Sequence, residues 1–208
     1  MAGDPAKRIG IPFIVSAPSG AGKTTLCAMA VDFFGDLRHS ISYTTRRPRQ
    51  GEKNGVDYWF VDDAGFSGMV DRGEFLEHAV VHGNRYGTSQ KDLNAMLKNG
   101  MDVMLDIDVQ GAQNSRKMIE NGVYIFIAPP SFSVCEERLT KRGKDSPEAI
   151  AARLENARTE IKRAIDYEYV IINDALEPAF DVLKSIITAE RAKRQRVFYR
   201  IEGLMAGF

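Results

Sequence analysis

The sequence holds only two cysteines and one tryptophan among its 208 residues. Cys27 and Cys135 lie too far apart for a C-x-x-C redox pair or a metal-ligand cluster. Disulfide scaffolds are therefore excluded, and both read as reduced core thiols. His39, His78 and His82 have no metal-ligand spacing either. An excess of charge of one sign is also absent, since 28 Lys+Arg balance 28 Asp+Glu. A surface built throughout for nucleic acid or anionic lipid draws on a large surplus of Lys and Arg, so any polyanion binding must be local. No apolar run approaches the length of a membrane span, and Met1 to Gly10 has no signal-peptide core. A cytoplasmic chain with neither a membrane nor a nucleic-acid partner is expected. Repeats and low-complexity segments are missing, and 44% hydrophobic residues exclude a disordered chain and suffice for one core, with or without inserted lobes.

What is present is a series of short apolar stretches punctuated by glycine. Ile9 to Val15 reads as a buried strand whose first half is weakened by Pro12. A Gly-rich turn follows, then a helical stripe over Thr24 to Phe34. Between Arg38 and Ser89, alternating pieces such as Tyr58–Val61 and Phe75–Val81 are cut by glycines including Gly65, Gly68 and Gly73, which predicts a small β-rich insert. Ser89, three residues before Asp92, opens a helix that Gly100 stops. Met101–Ile107 and Val123–Ala128 read as buried strands on either side of a helix over Val109–Glu120. Ser131 caps a helix towards Arg142, and Ser146-Pro147-Glu148 starts a long helix to about Asp166. Tyr169–Ile172 is a last strand. Pro178 opens a terminal helix ending among Arg191, Lys193, Arg194 and Arg196, a basic stretch that reads as a solvated face. Apolar strands alternating with helices predict an α/β chain, with a mostly parallel sheet flanked by helices.

The sharpest local signal is Ser19-Gly20-Ala21-Gly22-Lys23-Thr24-Thr25, placed after a strand and before a helix. That context is the one a phosphate-binding loop (P-loop) requires. Glycines let backbone N–H groups turn inward as an anion nest, the lysine reaches the outer phosphates, and the Thr24 hydroxyl can ligate Mg²⁺. The strict pattern expects glycine at position 17, where Ala17 stands, a mild departure because alanine has the smallest side chain. A second cluster, Thr44-Thr45-Arg46-Arg47-Pro48-Arg49 with Tyr58 following, is too rich in guanidinium and hydroxyl groups for a plain hairpin. Three guanidiniums within four residues repel one another unless they are solvated or face an anion. Arginine forks grip phosphate oxygens two at a time.

Further markers are Glu77-His78-Ala79, Gly83-Asn84-Arg85-Tyr86-Gly87-Thr88, Leu105-Asp106-Ile107-Asp108-Val109-Gln110-Gly111 and Ile127-Ala128-Pro129-Pro130-Ser131. With these, nearly the whole chain resembles the guanylate kinases, which move a phosphoryl group from ATP to GMP. The resemblance implies a P-loop NTPase core over 1–36 and 89–208, a small β-rich GMP-binding lobe inserted at 37–88, and a helical lid at about 130–160. It places Ser19, Gly20, Ala21, Gly22, Lys23, Thr24, Thr25, Asn173 and Asp174 at ATP. Arg46, Arg49, Tyr58 and Tyr86 fall at the GMP phosphate, and Ser42, Glu77, Thr88 and Asp106 at guanine. Lys23, Arg49, Arg142 and Arg153 are the implied catalytic groups, with Mg²⁺ accompanying ATP. The implied acceptor is GMP, with dGMP as a variant.

The chemistry agrees with these roles. Guanine presents N1–H and N2–H₂ side by side to a carboxylate, whereas adenine offers a bare acceptor at N1 that a carboxylate repels. Taken alone, Glu77 reads as a solvent-facing residue of an alternating strand, and Arg142 and Arg153 as ordinary helix charges. Asp106 and Asp108 both have a rival role beside Mg²⁺. No general base is needed, because a phosphate monoester with a second pKa of about 6 is already mostly dianionic at neutral pH. Two other readings stand beside the kinase. One is a non-catalytic phosphopeptide-binding module of the same fold, against which the intact Gly22-Lys23-Thr24 and the lid arginines argue. The other is a related kinase with a different acceptor, against which Glu77, Ser42 and Thr88 argue.

Overall fold

The computed structural model describes residues 8–81, 83–141 and 146–205. The chain enters through β1 (Pro12–Ser16), α1 (Lys23–Phe33) and β2 (Leu37–His39). A small sheet region follows, with β3 (Tyr43–Thr44), β4 (Trp59–Phe60), α2 (Asp63–Asp71), β5 (Phe75–Val81) and β6 (Asn84–Ser89). Then come α3 (Gln90–Lys98), β7 (Asp102–Asp106), α4 (Val109–Ser115) and β8 (Val123–Ala128). The last part comprises α5 (Phe132–Lys141), α6 (Pro147–Glu160), a 3-10 segment over Ile161–Asp166, β9 (Tyr169–Ile172), α7 (Leu176–Ala192) and α8 (Arg194–Met205).

The five core strands run parallel in the order β2-β7-β1-β8-β9. β1 lies in the middle, which explains why Phe13-Ile14-Val15 is apolar at every position instead of alternating. Phe13 and Val15 join Leu26, Cys27 and Ala30 of α1 and Leu183 and Ile187 of α7 on one face. Ile14 points the other way, to Leu93 of α3 and Ala112 of α4. Each buried Phe, Ile, Val or Leu among them contributes roughly 1.5–3 kcal/mol. The second sheet, β4-β3-β6-β5, carries an antiparallel β5–β6 pair in which Glu77 faces Thr88.

A clasp closes the end of the core sheet away from the P-loop. Asp102 opens β7 with no exposed surface, and its Oδ1 accepts the Ile11 N–H at 2.8 Å. Its Oδ2 meets Arg8 at 2.8 Å and Arg191 at 2.7 Å, and both arginines also reach Asp36. A buried carboxylate is tolerable here because both of its oxygens have donors and two of the three donors are charged.

Several elements differ from the sequence expectation. The core sheet extends past residue 36, since β2 pairs with β7. The expected β-rich insert contains the helix α2: Asp62 caps it by accepting the Gly65 N–H at 2.7 Å, and Phe66 is fully buried beneath it. Gly65 and Gly68 are thus helical, and the stop is Gly73 in the left-handed region. Helix α4 ends at Ser115 instead of Glu120, where the Ser115 hydroxyl turns back to the Ala112 carbonyl and contacts the Tyr124 hydroxyl. The long helix to Asp166 tightens into a 3-10 segment after Glu160. Helix α7 starts at Leu176, so Pro178 sits in its first turn where no N–H is required, and extended backbone at Lys193 separates α8 from it.

Candidate active site

Between β1 and α1 the chain turns through residues 17–22, with Gly20 at φ +87° and Gly22 at φ +88°. L side chains rarely adopt that region. Space is closed as well: a Cβ on Gly20 would lie 2.9 Å from Cys135 Sγ, and one on Gly22 would strike the Asn173 amide. The Asn173 side chain donates to the Ala21 carbonyl at 2.7 Å, and the Cys135 thiol donates to the Ser19 carbonyl. α1 has neither a side-chain cap nor an acidic residue in its first turn. Its orphan amides and the positive end of its dipole are therefore left to meet an anion. They border a cavity of about 590 Å³ lined by Ser19, Gly20, Gly22, Lys23, Thr24 and Asp108. A cavity of about 390 Å³ that shares Gly20 and Gly22 with it is lined by Thr25, Arg138, Asn173 and Leu176.

Lys23 lines the larger of these two cavities. Its ammonium lies 2.5 Å from Asp106 Oδ1 and donates to the Ile107 carbonyl at 2.7 Å. Burial works against the charged lysine, but the charge and hydrogen bond of Asp106 outweigh it and hold the lysine pKa above its ordinary value. Asp108 does not share that pair. It caps α4, accepting the Gly111 N–H at 2.6 Å.

Two further cavities adjoin. One of about 240 Å³ is lined by Lys23, Ser42, Tyr58, Glu77, Tyr86 and Asp106. The other, of about 470 Å³, is lined by Thr24, Ser42, Arg46, Arg49, Tyr58 and Tyr86. They share Ser42, Tyr58, Tyr86 and Asp106, and so form one basin wide enough for a small molecule. In it Arg46 pairs with Glu52 at 2.8 Å and lies 5.2 Å over the Tyr58 ring. The hydrogen bond to Glu52 raises the Arg46 pKa and lowers that of Glu52. Glu77 is only 8% exposed, unlike a solvent-facing strand residue. Its Oε1 accepts the Thr88 hydroxyl at 2.7 Å, and a Cβ on Gly111 would approach its Oε2 to 2.7 Å. Burial pushes the Glu77 pKa up to about 7, against the opposing pull of the Thr88 bond.

A family model described as guanylate kinase matches residues 10–190. The guanylate kinase of Geobacter metallireducens is 50% identical over 191 residues, covering 92% of this chain and 94% of the relative. That of Syntrophotalea carbinolica is 51% identical over the same length, covering 92% and 91%. The chain belongs to the guanylate kinase family. The crystal structure of guanylate kinase from Anaplasma phagocytophilum agrees in fold, with a TM-score of 0.76 at 36% identity over 91% of this chain and 90% of that one.

Most of the residues that the guanylate kinase resemblance singled out are brought together. Ser19, Gly20, Gly22, Lys23 and Thr24 border the cavity of about 590 Å³, the expected donor side, and Ala21 is fully buried, while Ser42, Arg46, Arg49, Tyr58, Tyr86, Glu77 and Asp106 line the basin. Thr88 stands behind Glu77 with its hydroxyl proton committed to it, so in this state it orients the carboxylate and does not present a donor to the basin. Asn173 acts on the loop carbonyl, and the Asp174 backbone carbonyl accepts from Arg138 at 3.1 Å. Arg142 lies outside the described residues. Arg153 is half-buried on α6, on the same helical face as Asn156 and Glu160. The sequence reading missed Asn156, Thr159, Glu160 and Arg163, which form one wall of the donor-side cavity. Their i, i+3, i+4, i+7 spacing is a polar stripe that could have flagged them. Among the described residues no helix is long and apolar enough to cross a membrane, and no cluster of three or more His, Cys, Asp or Glu could hold a metal ion alone.

Proposed function

We infer that this chain transfers the γ-phosphoryl of ATP to GMP, giving ADP and GDP. The observation that carries this reading is that the donor-side cavity and the acceptor basin meet at Lys23 and Thr24, each of which borders both sides. Two phosphorylated ligands would then bring their reactive oxygens to one ammonium. The loop amides would hold the donor phosphates, with the donor base in the cavity beside Arg138 and Asn173. Arg46, Arg49, Tyr58 and Tyr86 would bind the acceptor phosphate. Glu77, oriented by Thr88 and aided by Ser42 and Asp106, would read guanine by accepting N1–H and N2–H₂ together.

Chemistry at this site reduces to alignment and charge neutralisation of an in-line transfer. The dianionic acceptor phosphate attacks without a base. Lys23 leaves Asp106 for the phosphoryl in flight, and Arg49, Arg142 and Arg153 neutralise its equatorial oxygens. Thr24, with Asp106 and Asp108 nearby, offers the hard oxygen donors that suit Mg²⁺, which binds mainly through phosphates and water. Thr24 would be its protein ligand, and the ion would supply charge neutralisation to the donor phosphates. The segment near 130–160 would act as a lid, and the small sheet region up to residue 88 as a lobe closing on the core, excluding water that would otherwise take the phosphoryl. An enzyme with these substrates works in the cytoplasm.

A coupled assay with ATP, Mg²⁺ and each of GMP, AMP, CMP and UMP tests the reading. Turnover with GMP alone is expected. Activity with none of them, combined with binding of a phosphopeptide, would favour the non-catalytic module instead.

A further inference from the structure

Glu160, the last residue of α6, has no part in the chemistry above, yet it borders the donor-phosphate cavity beside Ser19, Lys23 and Asp108. Its carboxylate lies against the Ser19 backbone N–H, which favours the charged form, so the lid-side helix meets the P-loop through one anion. The other oxygen, Oε2, is buried and has no hydrogen-bond partner among the described residues. Nearby cations compensate only in part, through the charge of Lys23. Lys23 is engaged by Asp106, and Arg163 lies 3.7 Å from Asp166. Asp108 adds a like charge in the same cavity. An unmatched buried carboxylate oxygen is unfavourable, and native proteins retain such groups chiefly where function requires them.

We propose that Glu160 is an internal anion of the donor-phosphate cavity, positioning the P-loop through Ser19 and opposing, by its charge, the phosphates that enter. The inference rests on the donor-site reading given above. Burial first, and then the charge of Asp108, raise the Glu160 pKa, the direction expected for a carboxylate held where an anion is unwelcome. Phosphate arrival displaces the carboxylate from the Ser19 amide and frees the end of α6, which couples nucleotide binding to movement of the lid helix. Glu160 is thus a positioning residue, acting through the loop and not on the reacting atoms.

The test is direct binding of ATP and ADP by calorimetry in EDTA, for wild type, Glu160→Gln, Glu160→Ala and Lys23→Ala. Glu160→Gln keeps an acceptor for Ser19 and removes the charge, so ATP should bind about fivefold more tightly, and ADP, with fewer charges, should gain less. Glu160→Ala should tighten ATP likewise and also speed hydrogen exchange at the Ser19 amide, because the tether is gone. Unchanged or weaker ATP binding in both folded Glu160 variants, with Lys23→Ala still impairing binding, would overturn the proposal alone. If Lys23→Ala leaves ATP affinity intact, the donor-site reading fails and the proposal falls with it. A melting-temperature shift without any difference between ATP and ADP would mark Glu160 as merely structural and would also overturn it.

Discussion

Replacing Glu77 with glutamine should push stability and GMP recognition in opposite directions. The carboxyl is buried, and its pKa stands at about 7 in place of the ordinary 4.5. At about 1.4 kcal/mol per pH unit, ionising it inside the folded protein costs about 3 kcal/mol more than in the unfolded chain. The sign follows from proton counting. Between pH 4.5 and about 7 the folded state holds a proton that the unfolded state has lost, so wild-type stability falls as pH rises through that window. Glutamine has no such proton and can still accept the Thr88 hydroxyl. Ligand-free Glu77→Gln should therefore match wild type near pH 4.5 and melt several degrees higher at pH 8, at about 2–4 °C per kcal/mol for a chain of this size. Guanine recognition should suffer, because the new NH₂ faces a guanine donor where an oxygen accepted one. A charged hydrogen bond is worth roughly 1.5–3 kcal/mol, so kcat/KM for GMP should drop at least about tenfold relative to AMP. GMP affinity of the wild type should also weaken below about pH 7 more steeply than that of the mutant, since protons and guanine compete for the same oxygens. Melting curves at pH 5 and 8, paired with GMP and AMP kinetics, check both halves. Parallel pH dependences in the two proteins, or an unchanged GMP/AMP ratio, would refute the reasoning.

Arg49→Lys retains the charge but loses the planar fork, so kinetics with varied GMP should show a clear loss in kcat/KM; unchanged values would return Arg49 to a merely solvated loop. Arg142→Ala and Arg153→Ala should each lower kcat far more than GMP affinity, because both would act on the phosphoryl in the closed state, and GMP titration separates the two effects. Asn173→Ala removes a buried bond to the Ala21 carbonyl and should raise KM for ATP about fivefold with KM for GMP unchanged, at about 1 kcal/mol per such bond. Equal effects on both substrates would show that Asn173 does not act through the loop.

The parallel core was legible because strands buried on both faces leave unbroken apolar runs, as Val123–Ala128 does in β8; Tyr169–Ile172 coincides with β9, although that edge strand buries only Ile171. The P-loop was legible because its chemistry is local, with glycine, lysine and threonine at fixed spacing between a strand and a helix. Helix α2 was hidden by its glycines, whose low helix propensity is overridden by the Asp62 cap and the burial of Phe66. Glu77 was legible only through resemblance, since its burial depends on Gly111 of a distant helix approaching closely enough to cover it. Glu160 was missed because a polar stripe on an exposed-looking helix reads as solvated until the P-loop is placed against it.

Strand β7 is five residues long and carries an aspartate at each end. Asp102 is fixed by two guanidiniums, both of which are held in place by Asp36 as well. Asp106 is matched to a single ammonium on a flexible stem, a partner that can swing away. The same side chain thus serves as an anchor at one end and a mooring at the other. Mutations that strengthen or loosen the anchored end can therefore accumulate without retuning the catalytic end, and substitutions around Arg8, Asp36 and Arg191 are the natural place to engineer heat resistance while leaving turnover unaltered.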